Sequence, residues 1–508
     1  MPDKVSTSTP PLQAESVKES IDFPIKSYTK TQLNLILLGF SLSAFVLPLS
    51  GMMINVALPA IGTTYSVGAH QLGWLTTTSL LTVALFLVPF ARLSDIYGRK
   101  KIFTIGTLIF LISTVLTPSA STYGILVVYR VFTGIGLAGV SATSMSLLTH
   151  FYEGTERLHA YGIVTAAGAL GASVGPAIGG FLVQQYNWQS SFYFIVPFAL
   201  LSGILIFALI KGDIRFGKGE PFDWGGSLLY AFALLFTLGG LSNLPNTWAI
   251  VLTIIGILII PAFIYYEKRQ KYPAMNIKLF SSNKVFAWSN YAVVFIFTAT
   301  YALSFFLSLY LQSIGNLTSQ EAGFIMLSIP AVQIVISPMI GKISKRISPK
   351  NITIMGTVLT IIGLVCLTTI SETTSLALIV VYGILIGAGT IFFVLPNTNT
   401  LMSSVSAKDY SNVSAITGVF RQSGMVLSMV VAMANIAIFF GTTNKLTPET
   451  YPEFLTAMRV TFLVFIVFAV IGGLLIVFRD RESKKEQQNK DGNGTNVTKL
   501  DPEPVFDI

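Results

Sequence analysis

The chain has 508 residues, 52% of them hydrophobic and only 11% charged, with one cysteine and a formal net charge of +9. Charged residues run at less than half the roughly 25% usual in soluble domains, too few to clothe the two or more cores that such a length would need. The surplus of Lys and Arg sits in short clusters between apolar runs, which excludes a continuous basic stripe for nucleic acid, and the lone Cys366 excludes an internal disulfide framework and any CxxC metal or redox site.

What remains is a polytopic membrane protein. A spanning helix needs about 20 mostly apolar residues. Fourteen such runs follow one another, at about 33–59, 70–91, 102–120, 122–149, 159–184, 190–210, 224–242, 247–266, 286–311, 322–341, 351–370, 375–402, 411–440 and 456–478. Residues 1–32 lack an apolar h-region and are expected to form a cytoplasmic tail, as are residues 481–508. Orientation follows the basic residues. With the N-terminus inside, 28 of the 32 Lys and Arg fall on the cytoplasmic side, including Lys408 in a late loop. Only Lys445 and Arg459 lie outside, and Arg130 and Arg421 fall within spans. Moving the count by one helix destroys this segregation, so a cell-membrane protein with both termini cytoplasmic is expected.

The chain also repeats itself. ARLSDIYGRK (Ala91–Lys100) is echoed by GKISKRISPK (Gly341–Lys350), displaced by 250 residues, and VVYRVFTGIG (Val127–Gly136) by VVYGILIGAG (Val380–Gly389), displaced by 253. Two anchors with nearly equal displacement argue for a duplicated six-helix unit. The expected fold is all-α: an N-terminal six-helix bundle at 33–211, two inserted membrane helices at 212–285, and a C-terminal six-helix bundle at 286–480.

Several residues carry readable chemistry. Asp95 ends the second span, and Gly98 permits a tight turn before Arg99, Lys100 and Lys101. Such a cluster either latches the cytoplasmic face or only anchors topology. In GASVGPAIGG (Gly171–Gly180), Gly171, Gly175 and Gly179 share one helical face and let backbones approach, while Pro176 bends the helix; the role is conformational gating or static packing. Arg130 lies well inside the fourth span, where a cation is costly unless it faces water, a partner or a substrate, or snorkels outward. Its repeat counterpart is Gly383, so the scaffold does not require a charge there. Arg421, in FRQSG (Phe420–Gly424), raises the same question. GIGLAG (Gly134–Gly139) fits a dinucleotide fingerprint but lies inside a span with no preceding strand, and is set aside.

Taken together, these segments resemble the major facilitator superfamily over roughly residues 33–480, and within it the fourteen-span drug:proton antiporter branch. INVALPAI (Ile54–Ile61) resembles the branch's first-span signature, LSDIYGRKK (Leu93–Lys101) the superfamily's loop motif, GASVGPAIGG the antiporter motif, and FDWGG (Phe222–Gly226) the start of the branch's first extra helix. The resemblance implies a major facilitator fold and secondary active export of hydrophobic or amphipathic small molecules by alternating access, coupled to a proton or other ion. It implies Arg130 as a central-site residue and Asp95, Gly98, Arg99 and Lys100 as the gating motif. It places the first, fourth, ninth and twelfth spans along the path. There Met52, Met53, Tyr301, Phe305, Phe306, Tyr310, Phe392 and Phe393 offer aromatic and sulfur surface, with Asn55, Gln312, Asn397 and Asn399 as uncharged hydrogen-bonding groups; the alternative for any one of them is a lipid-facing or helix-packing side chain. The expected partners are a small-molecule substrate, a coupling ion and the lipid bilayer. No enzyme activity, cofactor, metal or nucleic acid is expected, and the chain is expected to act as a monomer. Export of anionic or lipid-like substrates is the alternative. One departure stands out: where the branch carries a first-span aspartate this chain has Ser50, and none of its 23 acids falls in mid-span.

Overall fold

The computed structural model describes residues 28–492 apart from 153, 276, 278, 279, 281, 406–409 and 443. Most of both expected tails, and Lys408, lie outside the described residues. Among the described residues, fourteen helices are long and apolar enough to cross a membrane. They are α1 (Lys30–Tyr65), α2 (Ala69–Tyr97), α3 (Arg99–Leu116), α4 (Tyr123–Leu148), α5 (Gly154–Gln185), α6 (Ser190–Leu209), α7 (Trp224–Leu241) and α8 (Thr247–Arg269). The second half holds α9 (Lys284–Ile314), α10 (Ser319–Ile343), α11 (Pro349–Thr368), α12 (Leu376–Ser403), α13 (Tyr410–Phe439) and α14 (Tyr451–Gly492). The helix α14 runs past the expected start of a tail at 481, because RESKKEQQNK is rich in strong helix formers.

Local chemistry sets the ends. Thr29 and Thr318 each close a capping box, with Gln32 and Glu321 respectively. Asp223 caps α7 by accepting from Gly226 N–H. The turn between α2 and α3 is a single residue, Gly98, at φ 120°, in the left-handed region open to glycine. The helix α9 breaks after Thr300, resumes at Leu303 and ends in a π turn over Tyr310–Ile314. An even number of crossings puts the described ends on one face, called here the terminal face; the other is the outer face.

Packing partners recur between the two halves. In the first, α1 packs on α5 and α6, α4 on α2 and α3, and α3 on α6. In the second, α9 packs on α13 and α14, α12 on α10 and α11, and α11 on α14. The closest backbone approaches recur too. A methyl group on Gly106 would meet Gly136 O at 2.9 Å, and one on Gly356 would meet Gly389 O at 2.6 Å. Those residues are displaced by the same 250 and 253 as the sequence anchors. The helices α7 and α8 pack on each other, and α7 covers the seam between α2 and α13, where Tyr230 OH donates to Ala84 O at 2.8 Å. Exposed aromatic residues mark both rims, Tyr97, Trp224 and Tyr265 toward the terminal face and Tyr186, Tyr193 and Trp248 toward the outer one, as belts at membrane–water interfaces do.

Candidate transport path and gating elements

Arg130 stands seven residues, roughly 10 Å, inward from the outer end of α4. It is 3% exposed, and its Nε donates to Leu75 O of α2 at 3.3 Å. Among the described residues no carboxylate pairs with it. Its electrostatic neighbour is Tyr301 of α9. The Tyr301 hydroxyl in turn lies 3.7 Å from where a side chain on Gly51 would begin, beside Ser50. Among the described residues the guanidinium thus has one hydrogen bond, to a backbone carbonyl, with the Tyr301 phenol as its electrostatic neighbour, where α2, α4 and α9 meet. Neither Ser50 nor the Asn55 amide, both buried, holds it: Asn55 Oδ1 instead accepts from Thr76 at 3.3 Å. In the repeat, the place of Arg130 is taken by packing, since Gly383 lies against Ser328.

The two halves are sewn together toward the outer face. Ser308 Oγ donates to Asn55 O at 2.5 Å, and Gln312 Nε2 to Val56 O at 3.0 Å. Gln422 Nε2 donates to Leu80 O at 3.0 Å, and Thr77 Oγ1 to Met433 Sδ at 3.2 Å. The α5–α10 seam is tied from Ser173–Pro330 to Gly180–Ser319, all in the outer half. Toward the terminal face the same two helices carry open positions: a methyl group on Gly162 or Gly341 would meet nothing within 4 Å. The α5–α10 seam is thus closed outside and open toward the termini, while α2 and α13 still meet in the terminal half at Leu87 and Gly418.

Against that frame the predicted residues divide. Arg130, Tyr301 and Asn55 lie together at the helix meeting point, and Gln312 is a strut of the outer closure, also accepting from Ser319 at 2.8 Å. Phe305 is fully buried at the α2–α13 seam, against the Gly73–Met433 contact. Arg421 and Asn399 are exposed, and Phe392 is half-buried. Others are structural. Met52 and Met53 face α5, packed on Gly175 and Gly179. Tyr310 donates to Ser371 O at 2.7 Å at the outer loops. Phe306 packs on Phe454 and Phe462, and Phe393 is fully buried. Asn397 is sealed against a second buried arginine, Arg479, whose guanidinium donates to its Oδ1 at 2.6 Å. Periodicity separates buried from exposed faces but not one buried face from another, which is why these residues were legible only as a group.

The glycine stripe of α5 does what its spacing implies, within one half. Side chains at Gly171, Gly175 and Gly179 would collide with α1 at Phe45, Met52 and Met53. The contact across to the other half uses the adjacent face, where the Pro176 carbonyl fits against Gly323.

The loop motif folds into one cluster. Arg99 donates from Nε and Nη2 to Asp95 Oδ1, at 3.0 and 2.8 Å, and from Nη1 to Ser146 O at 3.1 Å. Its guanidinium lies 4.3 Å over the Phe216 ring. Asp213, which sequence analysis did not single out, accepts from the N–H groups of Lys100 and Lys101 at 2.9 and 3.1 Å and so caps α3. Gly98 is required there, because any side chain would overlap the Asp213 carboxylate. The Lys100 ammonium donates to Ile210 O. Among the described residues every partner belongs to the first half or to the segment of chain leaving it, and none to the second.

His150, between α4 and α5, packs edge-on against Phe216 with its Nε2 buried and unpartnered. Burial first, then Arg99 and Arg157, pushes its imidazole down to about 4. The folded state therefore binds fewer protons than the unfolded one between the ordinary histidine range and about 4, so stability contributed by neutral His150 is present above that range and is lost as pH falls through it. Thermal unfolding at pH 7 and pH 4.5 is expected to show a smaller acid-induced fall in Tm for His150→Gln than for the wild type. An equal fall in both would remove His150 from the account.

Comparison with known proteins agrees with this geometry. Residues 40–429 match the family model of the Major Facilitator Superfamily. The multidrug resistance protein Stp of Mycobacterium tuberculosis is 29% identical over 420 residues, covering 82% of this chain and 78% of that protein. The riboflavin transporter RibZ of Clostridioides difficile is 24% identical over 454 residues, covering 89% and 98%. Among solved structures, an inward-facing, unoccupied bacterial homolog of the human lysosomal transporter Spinster superposes with a TM-score of 0.65 at 17% identity, covering 89% of this chain and 98% of that one.

Proposed function

The chain belongs to the major facilitator superfamily, and from that premise we propose that it is an ion-coupled exporter of hydrophobic or amphipathic small molecules, working by alternating access between two six-helix bundles (33–211 and 286–480) with the pair at 212–285 inserted between them. The carrying observation is Arg130. A buried guanidinium that has one hydrogen bond among the described residues, to a backbone carbonyl, and no carboxylate partner, where helices of both halves meet beneath the outer closure, is poised to exchange that bond for a ligand. The naming of relatives as multidrug resistance and export proteins supports drug-like cargo. Basic-residue segregation supports a cell-membrane protein with its terminal face in the cytoplasm, so the open end of the α5–α10 seam would face inward. The coupling ion is a proton, and neither covalent chemistry nor a bound cofactor takes part.

A second reading has its own support. Arg130 and Arg421 form no ion pair with a carboxylate among the described residues, which suits an anionic or flavin-like cargo, and one relative is named a riboflavin transporter. Ethidium and an anionic dye, each supplied to inverted vesicles under imposed pH and sodium gradients, separate the readings. Ethidium uptake driven by the pH gradient is the expected result. Uptake of the anionic dye alone would replace the first reading with the second.

A further inference from the structure

Two carboxylates meet where the inserted helix pair begins and ends. Asp223 spends one oxygen, Oδ1, on the cap of α7, accepting from Gly226 N–H at 2.8 Å and from Tyr266 OH at 3.3 Å. Its other oxygen, Oδ2, is buried without a hydrogen-bond partner. Facing it, Glu267 in the last turn of α8 is 3% exposed, and neither of its carboxylate oxygens accepts a hydrogen bond of ordinary geometry. The N–H groups of Ala274 and Met275 are its nearest backbone donors. The two acids converge on one point: a methyl group on Gly226 would collide with Asp223 Oδ2 and Glu267 Oε1 at once, and one on Gly225 would collide with the Tyr266 phenol. The two glycines of FDWGG make room for the three side chains of this site.

Among the described residues the surrounding charges do not neutralise the pair. The cation that faces it is Arg92 of α2, whose Nη2 is already engaged with Glu220 at 2.6 Å. Three carboxylates therefore share one guanidinium. Of the cations on α8 itself, Arg269 stacks over the Tyr265 ring at 4.1 Å. A buried carboxylate beside a half-buried one whose facing oxygen is itself buried cannot ionise cheaply with it, whereas a proton between them gives each a charge-assisted hydrogen bond. A metal ion fits less well, since among the described residues no group of three His, Cys, Asp or Glu side chains could hold one.

We propose that Asp223 and Glu267 form a proton-binding site, with one proton held between Glu267 Oε1 and Asp223 Oδ2. Release of that proton leaves two like charges at the junction of α7 and α8. The junction is tied to the loop motif: Arg92 precedes Asp95 by one helical turn, and Gly217 N–H donates to Asp95 O at 3.0 Å. Since the spans' interior carries no acid, the pair supplies the titratable group that coupled export needs; this role, unlike the proton binding itself, rests on the exporter reading above.

Infrared difference spectra of the full chain in lipid nanodiscs test the pair directly. A protonated-carboxyl band is expected at neutral pH in the wild type and absent from Glu267→Gln. In Asp223→Asn, which keeps the helix cap through its amide oxygen, the band should titrate away at least about one pH unit lower, because the like charge is gone. If Glu267→Gln does not fold, that shift alone decides. No such band in the wild type at neutral pH, or one displaced by sodium at constant pH, would overturn the proposal. In vesicles, both variants should lose the response of ethidium uptake to the pH gradient. Indifference of the wild type to that gradient would defeat coupled export while leaving the band, and the site, in place.

Discussion

Arg130→Ala is expected to lower ethidium transport at least tenfold while the protein still inserts and folds. A tenfold loss corresponds to about 1.4 kcal/mol, less than the cost of holding a cation within a span. Among the described residues one backbone acceptor, Leu75 O, is all that bonds the buried guanidinium, so little of the fold depends on the side chain. The repeat makes the same point, because Gly383 occupies the equivalent place with Ser328 packed against it and the bundle is intact. Removing the guanidinium frees the Leu75 carbonyl at the closure, where water can reach it during cycling. Arg130→Lys should recover only part of the activity, since an ammonium lacks the planar fork that donates in two directions at once. Tyr301→Phe serves as the companion measurement and should weaken binding more than it weakens folding. Full transport in Arg130→Ala with unchanged substrate affinity would place the binding site elsewhere.

Much of this architecture was legible before any coordinates. Hydropathy fixes the number of spans because an apolar run of that length has few other uses, and the displacement of 250–253 anticipates the paired Gly106–Gly136 and Gly356–Gly389 approaches. Arg130 was legible because a charge in a span is anomalous by itself. Residues whose role depends on a partner far along the chain were not. Asn397 looks like a polar group on a path helix, and only the fold shows that it belongs to Arg479, 82 positions away. Asp213 looks like an ordinary loop acid until α3 is found to start on it, 113 positions from its partner Lys100. Glu267 falls one residue beyond the apolar run that marks α8, so a hydropathy boundary hides a buried carboxylate.

The two acids of the loop cluster are expected to fail in opposite ways. Asp213→Ala removes the acceptor for three N–H groups, those of Lys100, Lys101 and Ile214, and leaves the first turn of α3 uncapped. A lost cap of this kind costs about 2 kcal/mol at most, so Tm in detergent should fall measurably and transport should fall with it. Asp95→Asn should barely move Tm. In the variant Arg99 keeps its bond to Ser146 O and its place over the Phe216 ring, and the amide oxygen still accepts from it. Transport, however, should drop about tenfold or more, for a reason that lies outside the conformation described. Here the outer ends are sewn shut and Asp95 is turned onto its own helix set. Alternating access requires the opposite state, in which the terminal ends of the halves close on each other, and the half-buried Asp95 charge at the end of α2 is placed to meet the second half there. Neutralising it shifts the balance toward the inward-open state. Substrate binding measured on the cytoplasmic side should therefore survive in Asp95→Asn while turnover does not, whereas Asp213→Ala should lose both in proportion to its folded fraction. Equal turnover in Asp95→Asn and the wild type would reduce the loop motif to a topology signal held in place by Asp213.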